Sequence, residues 1–134
     1  MSIESIMAAT RAGLSYERLR LDAASKNIAS ANMPIAATAT ATRSQVTGAV
    51  GEFDTHIDQD AAFSVTEQPV ATRAVHDPAN PLADAKGMVH YPETDLVQEM
   101  TTLITASRGY EANVRAFNLL RSMVMKAMEI GGKG

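Results

Sequence analysis

The residues best equipped for chemistry in this 134-residue chain sit in the stretch FDTHIDQD, where Asp54, His56, Asp58 and Asp60 stand two apart. On a strand that spacing turns all four side chains to one face, and three carboxylates with an imidazole could gather a divalent metal. The surroundings argue against it. The glycine and terminal glutamate of a calcium loop are missing, and the other two histidines, His76 and His90, stand in unrelated contexts. The stretch therefore reads as an acidic loop, with no metal expected. Serine, histidine and aspartate all occur, yet there is no nucleophile elbow, no phosphate-cradling glycine loop and no zincin helix. The expectation is a protein that is not an enzyme and uses no cofactor and no small-molecule substrate.

Composition narrows the remaining classes. Cysteine is absent, which removes disulfides and thiolate metal sites. The net charge of −3 is unevenly spread: residues 1–34 and 94–134 each sum to about +1, and residues 35–93 to about −5. That distribution has no basic footprint, so no nucleic-acid partner is expected. The first 30 residues lack the basic start and unbroken apolar run of a cleaved secretory signal, and nothing approaches 18 consecutive apolar residues. One domain is the expectation for this length. Much of the 46% hydrophobic content is alanine, however, and Leu, Ile, Val and Phe make up only about a fifth of the chain. That is near the level at which ordering becomes difficult, so the isolated monomer is expected to be only partly folded.

The elements that would position any functional side chain fall into three segments: 1–34, 35–93 and 94–134. The first is helical from a Ser2 N-cap, with Glu4 in the first turn and Met7, Leu14, Leu21 and Ile28 seven apart, and it closes before Pro34. The second holds runs such as AATATATRSQVTGAVG and short alternating pieces such as FSVTE and PVATRAV, which predict a loop-rich region with a few short strands. The third starts at Asp95, which has capping-box spacing to Gln98, and runs as a helix to Ile130 before GGKG ends it. The fold class expected is mainly α: two long terminal helices pairing as a coiled coil around an irregular loop and short-strand middle segment.

The last helix carries the strongest pattern. Leu96, Leu103, Tyr110, Phe117 and Val124 recur every seven residues, the signature of a left-handed supercoil, with a companion row of Met100, Ser107, Val114, Arg121 and Met128. At 1.5 Å per residue, residues 95–130 would span about 54 Å. A compact globule of this chain length is roughly 36 Å across, so the helix is expected to outrun its own globule and present a second apolar surface to neighbours. In such an assembly Gly109 would either let a neighbouring backbone come close or mark a local kink, Asn113 and Asn118 could fix register or simply face water, and Arg108 could pair with an acidic surface.

The segment DLVQEMTTLITASRGYEANVRAFNLLRSMVMKAMEI resembles the C-terminal helix of bacterial flagellar rod and hook proteins. The match falls on Glu99, Met100, Ala106, Arg108, Tyr110, Asn113 and the methionines of 123–128. Ahead of it, HDPANPLADAKGMVHYPETD is similar to a segment of the proximal rod proteins, carried by Asp77, Pro78, Asp84, Ala85, Gly87, Val89, Tyr91 and Pro92, and AASKNIASANMP is similar to the family's N-terminal signature at Asn27, Ile28, Ala29 and Ala31. Ser30 and Met33 depart from that signature, and the basic-aromatic stretch usual after it is replaced by IAATATATRSQVTGAVGEFD. The resemblance implies export without cleavage through the flagellar type III export apparatus. It further implies polymerisation in the periplasmic space with itself and other flagellar rod proteins, the terminal helices ordering on assembly and forming the inner wall of the rod. The assembly interface expected on this basis comprises Leu14, Leu21, Asn27, Ile28, Met100, Leu103, Arg108, Tyr110, Asn113, Phe117 and Val124. The departures at Ser30 and Met33 leave an alternative open: a soluble helical adaptor or secretion-associated binding module that no longer polymerises.

Overall fold

Two short polar side chains start the two helices. In the structure, a computed structural model that describes residues 2–48 and 63–132, Ser2 accepts from Ser5 N at 3.2 Å and opens α1, Ile3–Ser30. Asp95 accepts from Val97 N and Gln98 N, both at 3.1 Å, and opens α2, Leu96–Gly131. Each side chain satisfies backbone N–H groups that the first turn leaves without a helical partner. Glu4 and Glu99 stand in the respective first turns, on the favourable side of the helix dipole. The 36 residues of α2 correspond to a rod of about 54 Å. The Asp54 to Asp60 cluster lies outside the described residues.

The middle segment is more regular than its composition predicts. Strand β1, Thr42–Thr47, pairs antiparallel with β2, Ser64–Pro69, and β3, Thr72–His76, pairs antiparallel with β4, Met88–Pro92. The pieces FSVTE and PVATRAV supply most of β2 and β3. Strand β1 falls inside the Ala/Thr-rich run that reads as loop, because it lacks a continuous alternation of apolar and polar residues. The two prolines in these strands, Pro69 of β2 and Pro92 of β4, are placed where a strand tolerates them. Val70 N donates to Ala41 O at 2.9 Å beyond one end of the first ladder, and Glu93 N donates to Ala71 O at 2.8 Å beyond one end of the second. Antiparallel alternation then makes Thr42 opposite Pro69, and Thr72 opposite Pro92, pairs that exchange no backbone hydrogen bonds.

The turn between β3 and β4 is organised by Asp84. Its Oδ1 accepts from Lys86 N at 2.8 Å and Met88 N at 3.0 Å, and its Oδ2 lies 3.1 Å from His90 Nε2. Gly87 sits at φ +74°, a conformation that costs glycine little, and its carbonyl accepts from Asp77 N. Ile35 N donates to His90 O at 2.9 Å and ties this hairpin to the chain leaving α1. Buried apolar side chains among the described residues are mostly small: Ala23, Ala24, Ala31, Ala41, Ala106 and Val89. The core is thin, and half of these residues, Ala23, Ala24 and Ala106, lie on the helices.

Candidate assembly surface

The helix pair is antiparallel and built on small and polar residues. Gly13 faces Asn113, Glu17 faces Gly109, Arg20 reaches Thr105, and Asn27 reaches Glu99, so positions descend on α2 as they rise on α1. A Cβ added to Gly109 would stand 2.7 Å from Glu17 Oε1, and one added to Gly13 would stand 2.9 Å from Asn113 Oδ1. Each glycine thus makes room for a longer side chain from the opposite helix. Glu17 accepts from Arg20 Nη1 at 2.9 Å, and Asn113 donates to Gly109 O at 3.0 Å, which holds both side chains over the glycines. Ala106 lies between these contacts and is 0% exposed.

The contact row on α2 is therefore Glu99, Ala106 and Asn113, with Gly109 beside it. These residues stand seven apart, but they belong to neither apolar row of the sequence pattern, and the line of closest approach is displaced from both. Leu103, Phe117 and Val124 are half-buried flanks, and Tyr110 is 37% exposed. On α1 the same displacement separates Gly13, Arg20 and Asn27, which make the contacts, from Leu14, Leu21 and Ile28, which flank them. Large side chains pack beside a tight helix contact because there is no space for them within it.

The far side of α2 differs from the far side of α1. Val97, Met100 and Ile104 recur at three- and four-residue steps and are 76%, 56% and 54% exposed. Leu119, Met123 and Ile130 continue the exposed apolar surface toward the end of the helix, with Arg108, Glu111 and Arg115 exposed between the two patches. The exposed positions of α1 are instead mostly polar, Glu4, Arg11, Ser15, Arg18, Asp22, Ser25 and Lys26, with Ile3, Ala9 and Ala29 the apolar exceptions. Followed from Gly13 back to Ile3, the helix register reaches about Met123. Residues 125–131 of α2 extend past the start of α1, and Met125 and Met128 are exposed there.

Beside the helix pair lies a polar node that sequence reasoning found only in part. Asn27 is 3% exposed and Glu99 2%. Asn27 Nδ2 donates to Ser44 O at 2.9 Å and to Glu99 Oε2 at 3.2 Å, Ser44 N donates to Asn27 Oδ1 at 2.8 Å, and Arg43 Nε donates to Glu99 Oε1 at 2.6 Å. A cleft of about 160 Å³ adjoins it, lined in part by Arg20, Gln45, Val46 and Thr102, smaller than the roughly 300–1,000 Å³ of small-molecule sites. Asn27, which the resemblance assigns to the assembly interface, joins three elements within this chain. Arg43 and Ser44 carried no motif, and the only sequence signal for Glu99 was its place in the acidic-Met pair of the rod and hook resemblance.

Among the described residues no group of three or more His, Asp or Glu side chains could hold a metal, and no helix is long and apolar enough to cross a membrane. Residues 85–130 match the family described as flagellar basal body rod FlgEFG protein, C-terminal. The flagellar basal-body rod protein FlgC of Escherichia coli O6:H1 (strain CFT073) is 45% identical over 67 residues, 50% of each chain. FlgC of Salmonella typhimurium (strain LT2) is 43% identical over 68 residues, 51% of each chain. FlgC of Bacillus subtilis (strain 168) is 45% identical over 67 residues, 50% of this chain and 45% of that one. The matched region spans about half the length of these relatives, which are flagellar basal-body rod proteins. In both comparisons the chain is similar to flagellar basal-body rod proteins, and the individual relatives that it matches are FlgC proteins.

Proposed function

We propose that this protein is a structural subunit of the flagellar basal-body rod, of the proximal kind, which polymerises through its two terminal helices into the shaft that carries torque. The observation that carries the reading is the unpartnered apolar surface of α2, at Val97, Met100 and Ile104 and again at Leu119 and Met123, on a helix in a chain similar to FlgC. A folded chain gains by covering such a surface, at about 25 cal/mol per Å² of apolar area removed from water. The alanine-rich core supports the same reading from the other side. So little apolar burial within the chain leaves its stability small, and contacts from neighbours add the burial that offsets the conformational entropy lost on docking. In this reading the leucine and aromatic rows that flank the helix contact form the edges of a supercoiled pair, and Tyr110 and Phe117 help to seat the next subunit. Other rod proteins and the type III export apparatus are the partners, and the periplasmic space is the place of assembly.

The test is a count of intact hook-basal bodies by electron microscopy in the source bacterium with the gene deleted and then restored. Loss of rods on deletion and recovery on restoration is expected. Unchanged rods, with the protein recovered in a stoichiometric complex with a protein outside the rod, would replace this reading with that of a non-polymerising adaptor.

A further inference from the structure

Strand β1 has one neighbour in its ladder, so the backbone groups on its other edge need partners. With Ala41 and Val70 bonded across the end of the ladder, alternation turns Arg43, Gln45 and Thr47 toward β2 and turns Thr42, Ser44 and Val46 away. Ser44 sits mid-strand and is buried, where an unpaired N–H or C=O is costly. The carboxamide of Asn27 meets both groups, accepting from Ser44 N at 2.8 Å and donating to Ser44 O at 2.9 Å. It takes the place that a peptide group of a third strand would occupy. Aspartate has no donor for this role, and serine has only one arm.

The remaining bonds close a circuit. The same Asn27 nitrogen donates to Glu99 on α2, and the other oxygen of Glu99 accepts from Arg43, the residue next to Ser44 on β1. Thus β1 binds α1 through Ser44 and α2 through Arg43, while α1 and α2 are joined by Asn27 and Glu99. We infer that this circuit is a latch that makes docking of the β1–β2 hairpin conditional on pairing of the two helices. Without α2, Asn27 and Arg43 lose their common partner. Without α1, the edge of β1 is open and Glu99 keeps one of its two donors. The second hairpin is outside the circuit, since its free edge at His90 is met by Ile35. The latch is a property of the single chain, and only its use in rod assembly rests on the function proposed above.

Hydrogen exchange on the full chain, followed at single amides, tests it. Glu99 makes no hydrogen bond with the Ser44 amide, which donates to Asn27, yet Glu99→Ala is expected to speed exchange at Ser44 by about ten-fold or more, the effect of losing hydrogen bonds to a charged group, with Val75 and Val89 of the second hairpin unchanged. Asn27→Asp, which sets two carboxylates side by side, is expected to do the same at neutral pH, and adding Glu99→Gln is expected to recover part of the protection. Three results would overturn the latch: a Ser44 amide unprotected in the unsubstituted chain, a Ser44 amide indifferent to Glu99→Ala, or equal loss of protection in both hairpins. Should Glu99→Ala lower overall helix content, Glu99→Gln is read by the same criteria. Basal-body counts respond separately, so a chain that latches but builds no rod would refute the proposed function and leave the latch standing.

Discussion

Glycine costs about 1 kcal/mol relative to alanine in a helix interior, and Gly109 stands in the middle of α2 with the carboxylate of Glu17 laid across it. Because the obstructing atoms are the far end of a flexible side chain, Gly109→Ala is expected to displace Glu17 at little cost and shift stability by no more than about 1 kcal/mol. Gly109→Leu has no such escape and is expected to cost about 2 kcal/mol by overpacking; thermal melting of the two variants distinguishes them. Asp84 gives a pH prediction at the same scale. The Met88 amide, and then the hydrogen bond to His90, hold its carboxyl below the ordinary aspartate value. A carboxyl lowered on folding contributes fully above the ordinary aspartate range, near 3.9, and loses that contribution as pH falls through its folded value. The β3–β4 turn should therefore loosen on acidification, seen as faster exchange at Met88 after correction for intrinsic rates, and Asp84→Asn should flatten that response. The sequence placed Asp84 and Gly87 in a segment of interest, but which amides they serve depends on the turn they make.

Helix ends were legible because capping is local: Ser2 and Asp95 act on amides two or three residues away. The seam between the helices was legible only as a period. Several rows on one helix share a seven-residue repeat, and the repeat does not say which row makes the closest contact. The apolar rows at Leu103 and Leu14 point to a leucine seam, whereas the helices meet through Gly13, Gly109, Ala106 and Asn113. Ala106→Leu should thus destabilise the free chain by about 1–3 kcal/mol, because no room exists for the added methylenes, with the loss read as a lower Tm. Strand β1 escaped sequence reasoning for a related reason: its place depends on Asn27 and Arg43 contacts, which intrinsic strand propensity does not encode.

Across the molecule the two helices present unlike outer faces. That of α1 is charged and hydroxylated, and that of α2 is apolar at both ends. Substitutions at Met100 and Ile104 touch little in the free chain, so Ile104→Asp is expected to change folding stability by no more than about 0.5 kcal/mol while abolishing rod formation. Circular dichroism melting paired with basal-body counts measures both effects. Arg18→Ala on the opposite helix should leave both unchanged, and loss of rods in that variant would mean that α1 also docks through its outer face. Tyr110→Ala should reduce assembly more than it alters the free chain, since its ring is part-exposed beside the helix contact.

Taken alone, the sequence determined the two long helices and their starts, a few short strands between them, a chain without the motifs of catalysis, and the likeness to flagellar rod proteins. These rest on near-neighbour physics, namely capping, periodicity and turn residues, or on motif order along the chain. Tertiary structure decided which helical row is inside, why Gly109 is tolerated, and how Asn27 meets Glu99, 72 residues away. A hydrogen bond across that separation has no local signature. It exists because an antiparallel helix pair brings a carboxamide and a carboxylate together beside the open edge of a strand, where buried polar groups must find partners.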